Sequence, residues 1–171
     1  SAGAAMAVIL GHTHPELFRA VGAHSGLAHG AAHDVGSAFA AMRGSSLFGT
    51  RSAPADAPGA RPGSAVPTIV FHGDRDSTVA AANATAIVEQ AVAAAATRTP
   101  LRQTVYARDS AGGREFTRTV YADAAGHARV EHWLLHGAAH AWSGGDAAGS
   151  YADATGPDAS AEMIRFFGAE R

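Results

Sequence analysis

A three-layer α/β protein with a mostly parallel sheet is what this sequence predicts, on three observations. The run Pro67-Thr68-Ile69-Val70-Phe71-His72-Gly73 is β-branched and aromatic and is stopped by glycine, the pattern of a strand. Two Ala-rich segments with helical patterns, residues 2–14 and 80–96, lie before and after it. Read end to end, the chain runs helix, strand, insertion, strand, helix, strands, helix, which suits helices layered on a sheet.

Each element has its own justification. In residues 2–14 Met6, Ile9 and Leu10 are assigned to one apolar face, and Pro15 stands in the turn that follows. Ala20 to His24 is a short apolar run ended by Ser25-Gly26, read as a buried strand. Residues 27–65 change character: Gly, Ala, Ser and Pro dominate, and a short helix is expected near 34–43. Gly49 to Ser64 reads as a loop, either a lid or wall of a binding cleft or a plain surface loop. Residues 80–96 predict a strong helix with Ile87, Val88 and Val92 toward the core. Residues 116–121 and 130–135 alternate apolar and polar side chains around the turn Asp123-Ala124-Ala125-Gly126, as a hairpin or two neighbouring strands. Pro157 to Gly168 predicts a last helix that starts near Asp158 or Ser160, with Met163, Ile164, Phe166 and Phe167 on or near its buried face. There is no internal repeat.

The chain has 171 residues, 47% of them hydrophobic, and a formal charge of −2, which fits one domain with a sizeable core. The balance of charge argues against a nucleic-acid or anionic-membrane partner. Its apolar stretches are too short and too broken to span a bilayer. Without cysteine, disulfides, zinc-thiolate sites and a cysteine nucleophile are excluded. Lysine is absent and alanine makes up roughly a quarter of the chain, a compositional habit and not a functional signal.

Three stretches carry candidate chemistry. Ser1-Ala2-Gly3 reads as the second half of a G-x-S-x-G turn, in which a serine hydroxyl stands exposed between strand and helix. The Ala2 backbone N–H is then placed to hold an oxyanion. The other readings of Ser1 are a helix N-cap or a plain chain end. In His72-Gly73-Asp74-Arg75-Asp76-Ser77-Thr78-Val79, two acids follow a strand end. Asp76 is favoured as a catalytic carboxylate and Asp74 as a turn residue that binds backbone N–H groups. In His136-Gly137-Ala138-Ala139-His140-Ala141-Trp142, His140 lies on a loop past a strand and is favoured as the general base. His136 and His72 are read as structural hydrogen-bond formers, Trp133 as core, and Trp142 as a cleft wall. His24, His29 and His33 read as solvent-facing or cleft-lining. His12 and His14 point apart at their spacing, so no metal site is assigned. Serine, then acid, then histidine is the order of an α/β-hydrolase triad.

These stretches resemble the C-terminal part of the catalytic domain of poly(3-hydroxybutyrate) depolymerase-type esterases, an α/β-hydrolase branch. The match also takes in Pro15-Glu16-Leu17-Phe18, His24-Ser25-Gly26, Glu131-His132-Trp133, His140 to Gly145 and Gly156 to Ser160. The resemblance implies Ser1 as nucleophile, Asp76 as acid, His140 as base and Trp142 near the acyl or polymer groove. It implies no cofactor, an ester substrate that is small or polymeric, and an extracellular or periplasmic location. The chain is read as one portion, residues 1–171, of an α/β-hydrolase domain that starts at the nucleophile turn. The earlier strands and a second oxyanion donor are expected from upstream sequence, in the same polypeptide or a separate chain. Two rivals stand beside this reading. One is an N-terminal-nucleophile hydrolase that uses the Ser1 amine as base. The other is a catalytically inactive binding module on the same fold.

Overall fold

The computed structural model describes residues 1–44, 65–111 and 113–169, and the side chains of 107–111 are left aside. Four helices and a five-stranded sheet form three layers. The helices are α1 (Ala2–Thr13), α2 (Val35–Met42), α3 (Ala82–Ala96) and α4 (Ala159–Gly168). The sheet holds β1 (Val21–His24), β2 (Thr68–Gly73), β3 (Arg102–Ala111), β4 (Arg114–Ala122) and β5 (Ala128–Leu135). Two short strands, β6 (Trp142–Ser143) and β7 (Ala152–Asp153), pair apart from it. The strand order is β1-β2-β5-β4-β3. β1, β2 and β5 are parallel, and β4 and β3 extend them antiparallel.

β2 is central among the parallel strands and every residue in it is buried. A strand covered on both faces needs the continuous apolar run seen here. Its alternation divides the core. Val70 points with Val21, Ala23 and Val130 toward α1 and α3. Ile69 and Phe71 point with Trp133 and Leu135 toward Met163 and Phe166 of α4. Phe71 pairs in register with Trp133, and their rings stack 5.3 Å apart. Burying one such side chain contributes about 1.5–3 kcal/mol.

The face that α1 turns inward is built of small residues. Val8 and Gly11 are buried and Ala4 and Ala7 pack beside them, while Met6 is 54% exposed and Ile9 also faces out. That corrects the face expected from Met6, Ile9 and Leu10. Residues 4, 7, 8 and 11 form one stripe at helical spacing, and the helix lies so close that a Cβ on Gly11 would come within 2.3 Å of Val21 Cγ2. Only small side chains permit that approach. In α4, Met163 and Phe166 share the buried stripe. Ile164 is 71% exposed and Phe167 is also exposed, because each lies one residue further round the helix. Asp158 caps α4, its side chain accepting from Ala161 N–H.

The hairpin reading of residues 116–121 and 130–135 is the one adopted, with Asp123 accepting from the Ala125 and His127 N–H groups in the turn. β3 had no counterpart in the sequence reading. The insertion expected at 27–65 lies outside the described residues over 45–64, as does the whole of the loop expected over Gly49 to Ser64. Beneath α4, Glu131 of β5 is fully buried. It accepts from Trp133 Nε1 at 3.0 Å and pairs with Arg165 of α4 at 2.7 Å and Arg118 of β4 at 3.3 Å. A carboxylate at that depth persists only because it is paired.

Candidate functional site

The three parallel strands end at His24, Gly73 and Leu135, and the chemistry gathers just past those ends, where open α/β sheets place their clefts. Asp76 sits in the turn after β2, with its side chain fully buried. Its Oδ1 accepts from Thr78 N–H at 2.9 Å and Val79 N–H at 2.8 Å. Its Oδ2 accepts from His140 Nδ1 at 2.7 Å, and His72 Nε2 stands 3.4 Å from the same oxygen. Burial alone would raise the carboxyl pKa. The Val79, His140 and Thr78 bonds outweigh it and hold Asp76 below the usual carboxylate range.

An ionised carboxylate only accepts, so the proton of neutral His140 lies on Nδ1 and its Nε2 keeps a lone pair. That is the tautomer a general base requires. His140 reaches Asp76 because its loop packs on the end of β2. Ala138 O accepts from Arg75 N–H at 3.0 Å. A Cβ on Gly73 would stand 2.3 Å from that carbonyl, so glycine is required there.

Ser1 stands at the start of α1, exposed, and its hydroxyl makes no capping bond to the helix. The N-cap role open to it is therefore not taken up. Its nitrogen donates to the His24 carbonyl at 2.9 Å. Ala2 is the first helical residue, so its N–H is among the four that have no acceptor within a helix.

Ser1, Ser25, Thr78, His140, Trp142 and Tyr151 border one cavity of about 460 Å³. None of the described side chains that line it is Arg, Asp or Glu, so it suits an uncharged ligand. Trp142 is half-exposed at its mouth, with its ring 5.0 Å from that of His24 and its Nε1 donating to Ser160 Oγ. Tyr151 stands on the adjoining turn, and its carbonyl accepts from Trp142 N–H at 2.7 Å. The structure thus brings Ser1, His140 and Trp142 to one cavity, with Asp76 directly behind His140.

With that geometry in view, the comparisons with known proteins become informative. The family model described as "Esterase PHB depolymerase" matches residues 1–115. The chain belongs to this family. No curated protein matches it. Among solved structures, the acetyl xylan esterase from Aspergillus awamori superposes with a TM-score of 0.56 at 16% identity. That alignment covers 98% of this chain and 56% of the other, so the chain spans little more than half of that structure. At such identity the likeness speaks for the fold.

The remaining candidates in this member of the Esterase PHB depolymerase family lie outside the cavity lining. His136 Nδ1 bonds Asp74 Oδ2 at 3.0 Å and its Nε2 meets Thr117 Oγ1 at 2.8 Å, so both ring nitrogens are engaged. Asp74 also accepts from Gly137 N–H at 2.7 Å. His72 Nε2 donates to Val79 O at 2.8 Å, and Trp133 is buried in the core. His12 stacks on His29 with centroids 4.0 Å apart, and His14 faces Glu16. Among the described residues no group of three or more His, Cys, Asp or Glu is placed to hold a metal ion.

Of the two readings open to His24, cleft-lining is the one adopted: it borders the same cavity as Ser1 and His140 and does not face solvent. It is buried, and its Nε2 accepts from Ser143 N–H at 3.0 Å. Burial, reinforced by His72, the Ser1 amine and His140, pushes its pKa down to about 3. Ser25 and Tyr151 were not singled out in the sequence. The pair Ser25-Gly26 was visible there as a strand terminator and as part of one stretch of the family resemblance, with no role attached to either residue.

Proposed function

We propose that this chain forms the catalytic portion of a serine ester hydrolase in which Ser1 is the nucleophile, His140 the base and Asp76 the orienting acid. The observation that carries the reading is the 2.7 Å bond from His140 Nδ1 to Asp76 Oδ2, beside a cavity that Ser1 shares. In the first half-reaction His140 Nε2 removes the Ser1 hydroxyl proton as Oγ attacks the ester carbonyl. Charge then develops on the carbonyl oxygen, and the Ala2 N–H donates to it. The imidazolium is stabilised by Asp76 and gives its proton to the leaving alcohol, which departs from an acyl-enzyme. Water, deprotonated by the same imidazole, releases the acid. These steps call for no cofactor.

A cavity without charged walls favours neutral esters: hydroxyalkanoate oligomers or polymer, or small acyl and aryl esters, with Trp142 against the acyl or chain segment. The family likeness supports an extracellular or periplasmic setting. The family likeness supports upstream strands and a second oxyanion donor from them, and the outer edge of β1, beside the bond from Ser1 nitrogen to His24 O, is where such a strand would pair. A mechanism based on the Ser1 amine would leave the Asp76–His140 pair without a role.

The test is turnover of p-nitrophenyl butyrate by the full chain, with fluorophosphonate labelling. Ser1 is labelled, and Ser1→Ala and His140→Ala each lower kcat by about 10³-fold or more. Folded protein that hydrolyses no ester supports the inactive-module reading, and labelling at another residue overturns the assignment of Ser1.

A further inference from the structure

We propose that Ser25 is a second working hydroxyl of this site: its O–H donates a hydrogen bond to the bound ester, and His24 is the positioning residue that aims it. The inference rests on the Ser1–Asp76–His140 reading and adds a substrate contact to it.

The His24 ring fixes the direction of its bond to Ser25. Its Nε2 receives the Ser143 backbone N–H at 3.0 Å, so that nitrogen carries a lone pair. A neutral imidazole then has its one hydrogen on Nδ1. Nδ1 lies 3.1 Å from Ser25 Oγ, so the ring donates and the serine oxygen accepts. The hydrogen of Ser25 is left over. Among the described residues no acceptor takes it, although Ser25 is buried. Ser25 is among the residues that line the cavity shared by Ser1 and His140. Accepting from His24 polarises it and makes it a better donor. A neutral cavity that holds an ester carbonyl supplies the acceptor this donor lacks.

The backbone adds a second observation. Ser25 is the one non-glycine residue with positive φ among the described residues, at +52°. Glycine adopts that conformation more readily, as it does at many turns. A side chain kept at a left-handed position points to use of that side chain. The next residue, Gly26, packs against the first turn of α1, where a Cβ would come within 2.7 Å of Ala4 Cβ. Ser25 is therefore held between the serine turn and the loop that bears the base.

His24 is fixed from several sides. Its carbonyl accepts from Ser1 nitrogen, its Nε2 ties down the loop that follows His140, and its ring lies near the rings of Trp142 and Phe71, at 5.0 and 5.8 Å. Protonation would put an N–H against the Ser143 N–H. The burial that keeps the ring neutral thus preserves the arrangement.

The experiment compares Ser25→Ala, Ser25→Gly, His24→Phe and His24→Gln in the full chain. It uses p-nitrophenyl butyrate, with active sites titrated by fluorophosphonate and Tm measured. Both Ser25 variants are expected to lose about tenfold or more in kcat/KM per titrated site. Ser25→Gly should keep or raise Tm, which separates the hydroxyl from folding. His24→Phe, which keeps the ring but loses both bonds, should lower kcat per site more than KM changes. His24→Gln, with an amide that both accepts and donates, should recover part of it. If Ser1 is labelled and both Ser25 variants stay within twofold of the parent per site, this inference falls and the esterase reading stands. If Ser1 is not labelled in folded parent protein, both fall.

Discussion

Two acid–imidazole pairs lie side by side past the ends of β2 and β5, and they are built for different ends. Asp74 bonds His136 at 3.0 Å and Asp76 bonds His140 at 2.7 Å. By residue type and bond length they are nearly alike. They differ in what surrounds them. The Asp74 side chain is 35% exposed, while that of Asp76 is fully buried. His136 has a partner on each ring nitrogen, Asp74 on one and Thr117 on the other. His140 is oriented through Nδ1, lines the cavity, and among the described residues has no bond to Nε2. A bonded carboxylate does not by itself make a histidine a base; the uncommitted second nitrogen does.

The largest expected effect tests that contrast directly. Asp76→Asn presents an amide that can donate to His140 and so favours the wrong tautomer, and kcat should fall by about 10³–10⁴-fold. Asp74→Asn should leave kcat within about threefold, as measured on the same ester. Equal losses in the two variants would erase the distinction. Next in size, Gly73→Ala sets a methyl group against the Ala138 carbonyl that lies between the two pairs. It should lower kcat by about 10- to 100-fold through displacement of the His140 loop, with kcat per titrated site as the measure.

A smaller effect comes from pH. His24 has a folded pKa of about 3 against an ordinary 6.5, and burial is the main cause. Between those values the unfolded chain binds the proton and the folded chain does not. Stability is therefore full above about pH 6.5 and declines as pH falls, by up to about 1.4 kcal/mol per pH unit for this group. Urea unfolding at pH 7 and pH 5 should show the decline, and His24→Gln should reduce it, the remainder coming from buried groups such as His132, whose pKa burial lowers to about 4. The aspartate side of both pairs acts lower. The folded pKa of Asp74, like that of Asp76, is depressed. Their stabilisation is present above the ordinary value of 3.8 and is lost as pH drops through the folded pKa. The smallest effect is that of His136→Ala. It should cost about 1 kcal/mol of stability in the same unfolding assay and little activity.

Much of this site was legible in the sequence because its parts announce themselves locally. The run 67–73 is the clearest strand in the sequence, and the acids and histidines that follow strand ends are few. What stayed hidden depends on neighbours distant in sequence. His24 meets Ser143 across 119 positions, and no local pattern encodes that bond. The inward face of α1 was misjudged because large apolar side chains draw attention, whereas close packing here selects Ala4, Ala7 and Gly11. β3 escaped notice because it is an edge strand: Val105 and Tyr106 are exposed and Arg102 and Gln103 interrupt any apolar alternation.

Glu131 carries a last consequence. Its negative charge sits between the helix that supplies Arg165 and the strand that supplies Arg118, with no water to receive it if either cation withdraws. Detaching α4 would break the Arg165 pair and uncover the apolar layer under Met163 and Phe166 together, whereas losing Arg165 with α4 still packed would strand that anion in an oily layer at a cost of about 3–5 kcal/mol. The C-terminal helix should accordingly not peel away alone. Amide hydrogens of Met163 and Phe166 should exchange with those of β5 in one cooperative step, and earlier exchange in the helix would refute this shared latch.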